Sequence, residues 1–132
     1  MEISSLHTVI PNSEGLLALK YFFDRRTVKE PGSETLLRLA ELALALNCFS
    51  FASNYFKQIN GVAMGTKMGP SYANLFVGYE EHQFFNQYKG HRPDFYGRCI
   101  DDCIGAISSS REELNYYRFI TSVSQSVLFV QL

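Results

Sequence analysis

The stretch Ile3 to Ile10 leans apolar and is stopped by Pro11-Asn12, which predicts a strand entering a turn. Asn12 or Ser13 is positioned to cap the next segment, where Leu16, Leu17, Leu19, Lys20 and Phe23 suit a helix to about Arg26. Pro31-Gly32 breaks the chain, and Ser33 is expected to cap a second helix. There Glu34, Arg38 and Glu41 fall on one narrow stripe, so the remaining positions should be buried. Glu34 and Arg38 also stand at the favourable i,i+4 spacing.

From Phe49 to Ile59 aromatic and polar residues alternate around Ser53-Asn54, the pattern of a β-hairpin. A glycine-rich loop follows, Gly61 to Pro70, and then a helix from about Ser71 to Tyr88 with Pro70 just before its start. Lys89 to Pro93 is a loop leading to strand-prone residues on both sides of Asp101-Asp102, a second hairpin with acids at its tip. Ser110 to Glu113 reads as the capping box of a helix to about Ser124, and Val127 to Val130 as one more strand. The order β-α-α-ββ-α-ββ-α predicts an α+β fold, an antiparallel sheet with helices packed on one face.

The 132 residues amount to one domain or a piece of a larger one, and 46% hydrophobic with 19% charged residues excludes disorder. Eleven Phe and eight Tyr supply core volume, with some left to line a groove. The net charge of −1 disfavours a free-standing nucleic-acid binder, which normally carries a basic surplus. Arg25-Arg26, Lys57, Lys67, Lys89, Arg92 and Arg98 are scattered and form no stripe. Three cysteines without a leader point to free thiols in a reducing compartment. The most apolar run, Leu36 to Leu46, is interrupted by Arg38 and Glu41 and is too short to span a bilayer. The expectation is an intracellular chain, nuclear or cytoplasmic, with no membrane partner.

Two features carry chemistry. Adjacent acids in an apolar setting are costly unless compensated, and a divalent cation is a common compensator, so Asp101-Asp102 is a candidate metal site. A polar turn is the bland alternative, because strand neighbours point to opposite faces and need not share a metal. Gly61, Gly65 and Gly69, just before a helix, permit close backbone approach and favour an anion, although such loops are also ordinary connectors. A zinc site from Cys99, Cys103 and His91, with His82 nearby, lacks the usual cysteine spacing. Cys48 is expected to be a buried small hydrophobe and His7 a structural strand residue. No Ser-His-Asp or Cys-His arrangement supports a hydrolase.

In order, these pieces resemble the palm of a reverse transcriptase, most closely of the Penelope-like retroelement group. Glu2 to Pro11 resembles the first palm motif, Tyr55 to Phe76 the second and Arg98-Cys99-Ile100-Asp101-Asp102 the third, usually Tyr-x-Asp-Asp. The resemblance implies RNA-templated DNA synthesis by two metal ions, Mg2+ with Mn2+ as a substitute. Asp101, Asp102 and Glu2 would be the catalytic, metal-binding carboxylates, with Asp101 the main one of the pair. His7, Lys57, Gln58, Gly61, Met64, Gly65, Pro70, Ser71, Asn74 and Cys99 would meet an RNA template, a DNA primer or a deoxynucleoside triphosphate.

Three positions depart from that pattern. Glu2 stands where the family has Asp, which moves the carboxylate by about 1.5 Å, and errors of about 1 Å cost on the order of 100-fold in positioned catalysis. His7 replaces the aromatic residue that polices the sugar 2′ position, and Cys99 replaces the motif tyrosine. The resemblance also implies a partial domain over residues 1–121, starting inside the first motif and stopping before a fourth, with a divergent tail over 122–132. The expected product is a fragment inactive as an isolated chain. The alternative is a non-catalytic remnant that binds protein or nucleic acid.

Overall fold

The computed structural model describes residues 6–63, 65–99, 102–108 and 126–131. Two compact units divide the chain, Ser5–Glu80 and one built on Glu81–Leu132. The architecture is α+β.

The first unit opens with a helical turn, α1 (Leu6–Val9), where a strand was expected. Leu6 and Ile10 are four residues apart, and both are buried, at 4% and 1% exposure. An i,i+4 pair shares one face in a helix and in a strand alike, so their burial fits either period. α2 (Asn12–Phe23) follows Pro11, whose carbonyl accepts the Gly15 N–H at 2.9 Å. Neither Asn12 nor Ser13 caps it, because Asn12 Nδ2 instead donates to the Ile59 carbonyl at 3.1 Å.

α3 (Ser33–Ala45) begins at Ser33 itself, preceded by Gly32, with no side-chain cap. Its polar stripe is exposed as expected, but its buried face is much narrower than expected. Only Ala40 and Leu44 are buried, while Leu39, Leu42 and Leu46 are exposed. The polar stripe borders a groove of about 420 Å³ between α2 and α3, where Glu34 lies 3.8 Å from Lys20. Arg38 pairs with Glu41 one turn on, not with Glu34. Among the described residues α2 is the helix packed against α3, and such a contact buries a narrow stripe and leaves the other leucines exposed.

β1 (Cys48–Phe51) and β2 (Asn54–Lys57) form the expected antiparallel hairpin. The turn residues Ala52 and Ser53 are both left-handed, φ 48° and 64°, which matches the twist a two-residue hairpin loop requires. Pairing of Phe49 with Phe56 and of Phe51 with Asn54 puts three phenylalanines on one face. Cys48, Ser50, Tyr55 and Lys57 take the other. All eight strand residues are exposed.

α4 (Gly69–Gln87) runs through the end of this unit and into the next, with Pro70 in its first turn. Tyr72, Ala73, Phe76 and Val77 are its buried face. Tyr72 enters a notch that exists because residue 15 is glycine: a Cβ there would sit 1.8 Å from the Tyr72 hydroxyl. That hydroxyl is buried with no partner among the described residues, and burial pushes its pKa up to about 12.

In the second unit, β3 (Phe95–Cys99) and β4 (Asp102–Ile107) pair antiparallel, and β5 (Ser126–Gln131) adds parallel to β4. The sheet is therefore mixed, and β5 fulfils the strand expected over Val127–Val130. Cross-strand register places Tyr96, Arg98, Cys103, Gly105 and Ile107 on one face. That face is covered by the end of α4 and the residue that follows it, where Phe84, Phe85 and Tyr88 pack on the fully buried Ile107. Phe95, Cys99, Asp102 and Ile104 are exposed on the opposite face. The helix expected over Ser110–Ser124 lies outside the described residues.

Candidate functional site

The glycine loop is built onto α1. Gly61 has φ 69°, and a Cβ there would stand 2.2 Å from the His7 carbonyl oxygen, so the chain can pass only as glycine. That same carbonyl accepts the Val62 N–H at 2.6 Å. The loop then folds on itself: Thr66 Oγ1 donates to the Ala63 carbonyl at 3.0 Å, and the Gly69 N–H donates to the Thr66 carbonyl at 3.1 Å. The His7 ring reaches 3.5 Å from where a Cβ on Gly69 would be. His7, Gly61 and Gly69 are thereby brought together, and His7 is a half-buried helical residue, not a strand residue.

The other expected contact residues of this unit present an open surface. Gly65 (φ 90°), Pro70, Ser71 and Asn74 are exposed, the last three at the start of α4 with helical spacing. Lys57 is exposed at the end of β2. Gln58 is half-buried; its N–H continues the hairpin by donating to Asn47, and its side chain donates to the Asn60 carbonyl at 2.8 Å. Met64 lies outside the described residues.

In the second unit, Cys99 and Asp102 are cross-strand partners, both exposed on the face away from α4. Of the three expected metal-binding carboxylates, Asp102 alone is among the described residues; Glu2 and Asp101 are not. Among the described residues no three His, Cys, Asp or Glu side chains stand close enough to hold a metal. Cys99 and Cys103 occupy opposite faces, which divides the zinc alternative. Cys48, expected inside, is exposed, and Cys103 is the buried thiol.

Sequence reasoning missed the polar cluster beneath this hairpin. Arg98, counted as a scattered cation, donates from Nε to Glu81 Oε1 at 2.8 Å, with side-chain exposures of only 11% and 21%. The Tyr96 hydroxyl donates to the same Glu81 oxygen, and Cys103 Sγ lies 3.4 Å from that hydroxyl. Burial first, then Cys103 and Glu81, push the Tyr96 pKa up. The available signal was the alternation of Tyr96 and Arg98 within a strand, which puts both on the helix-covered face. Nearby, Asp94 Oδ2 accepts the Ser108 N–H at 2.7 Å; hydrogen bonds from Ser108 hold the carboxyl below its ordinary range.

No helix among the described residues is long and apolar enough to cross a membrane. Comparison with known protein families, curated proteins and solved structures finds no match.

Proposed function

We propose that this chain carries part of the palm of a Penelope-like retroelement reverse transcriptase, and that the isolated chain does not itself polymerise. What carries the reading is the run Tyr55–Phe76. Its glycine turn is seated on His7 of the first motif and leads into a helix whose first exposed face bears Pro70, Ser71 and Asn74. Asp101, Asp102 and Glu2 are hard oxygen donors of the kind Mg2+ or Mn2+ prefers, and Asp102 is accessible on the open face of its hairpin. Bound there, two such ions would activate a primer 3′-hydroxyl and hold a nucleoside triphosphate. The substitutions Glu2, His7 and Cys99 argue for loss of turnover.

Two assays test the proposal on the purified full chain. Manganese titration should find a weak site that Asp101→Asn abolishes, and unchanged affinity in that variant moves the site elsewhere. Primer extension with either metal should give no product, and robust synthesis would refute the inactivity.

A second reading, a non-catalytic binding module, is favoured by the β1–β2 hairpin, where Phe51 and Tyr55 are 71% and 87% exposed. Between Glu41 and Glu80 the chain has no carboxylate, and Lys57 and Lys67 are its charged residues there. Aromatic faces with local positive charge suit single-stranded nucleic acid better than the net charge suggests. Filter binding to a primer–template across a salt series separates the two partners. Affinity falling steeply with salt indicates nucleic acid, and a flat weak signal indicates protein contacts.

A further inference from the structure

We propose that Glu81 is the positioning residue of the β3–β4 hairpin, fixing Asp102 on the open face by latching the opposite face to α4. The role of Asp102 as a metal-binding acid rests on the reading above; the latch rests on geometry. Glu81 projects from α4, and its single oxygen Oε1 accepts from both Tyr96 and Arg98, two residues apart on β3. Those two residues share a face and frame one repeat of the strand, so one carboxylate fixes register as well as distance. Phe85 meets the Tyr96 ring edge-on at 5.4 Å, and Ile107 closes the far end of the same face.

The chemistry makes Glu81 irreplaceable by an apolar residue alone. Removing it would take away the carboxylate that both the Arg98 Nε and the Tyr96 hydroxyl donate to on this little-exposed face, and breaking such a pair from one side costs more than the intact pair contributes. Replacing both charged partners by apolar groups of similar shape is close to neutral. This asymmetry separates a latch from general packing.

Amide hydrogen exchange on the full chain, read over residues 95–99 and 102–107, tests it. Glu81→Leu should speed exchange there by about 100-fold, with the β1–β2 amides unchanged. The double variant Glu81→Leu, Arg98→Met should restore protection to within about threefold of the parent. Loss of protection in both variants alike, or in neither, overturns the proposal. Manganese alone, followed by paramagnetic broadening at the Cys99 and Asp102 amides, gives the positional readout. Binding should weaken in the single variant and recover in the double. If the parent chain shows no broadening, the metal reading fails while exchange still decides the latch.

Discussion

The two hairpins share a plan and differ in what lies behind them. Both are antiparallel with alternating side chains, but β1–β2 is exposed on both faces, whereas β3–β4 has one face sealed by α4. In the first, Phe49 and Phe56 stack with ring centroids 5.5 Å apart and stay exposed. In the second, Phe84, Phe85 and Tyr88 cover Ile107, and Glu81 binds Tyr96 and Arg98. A hairpin alone is marginal, so the difference lies in helix cover and the added strand β5, not in strand propensity.

The largest test of that difference is Ile107→Ala, which should cost about 2–5 kcal/mol because the side chain is fully buried against Phe84, Phe85 and Tyr88. Urea unfolding read at a second-unit probe checks it. A cost below 1 kcal/mol would mean that α4 does not seal the sheet.

Next in size is an alkaline transition in each unit. Tyr72 has its pKa pushed up to about 12 by burial, against about 10 for an open tyrosine. A group that holds its proton more tightly when folded contributes fully below pH 10 and loses that contribution as pH rises from 10 towards 12. The expected loss is about 2–3 kcal/mol, and Tyr72→Phe should flatten that part of the stability profile. Tyr96 adds a loss of the same sign in the second unit.

What was legible in the sequence follows the same division. Local rules found β1–β2, α2, α3, α4, the Phe95–Ile107 hairpin and the last strand, because each is set by alternation, turn residues or helix breakers. They failed where tertiary partners decide. Leu6 and Ile10 have helical spacing, but a short apolar stretch before Pro11 fits either period. The leucines of α3 could not reveal that, among the described residues, it packs on α2 along so narrow a stripe. Of the candidate site, the junction of His7 with the glycine loop was hidden, since its link is a backbone carbonyl and carries no sequence signature. Glu81 was invisible for a related reason: its partners are 15 and 17 residues away and become neighbours only when the hairpin folds back.

The first hairpin can also be sharpened from within. Ala52 and Ser53 hold left-handed backbone at φ 48° and 64°, a conformation that non-glycine residues occupy at a cost. Replacing them by Asn-Gly should stabilise the hairpin by about 1 kcal/mol, measured as slower amide exchange in β1 and β2.

The smallest expected effect is the most discriminating. Phe51→Ser removes a large side chain that is 71% exposed and should change stability by less than about 0.5 kcal/mol. An aromatic that contributes so little to folding is free to serve binding. If the hairpin is a stacking surface, the same substitution should weaken primer–template binding by about 1–3 kcal/mol. Small stability loss with unchanged binding would leave the hairpin without that role. A stability loss approaching that of Ile107→Ala would place Phe51 in a core, and the contrast between the two hairpins would collapse.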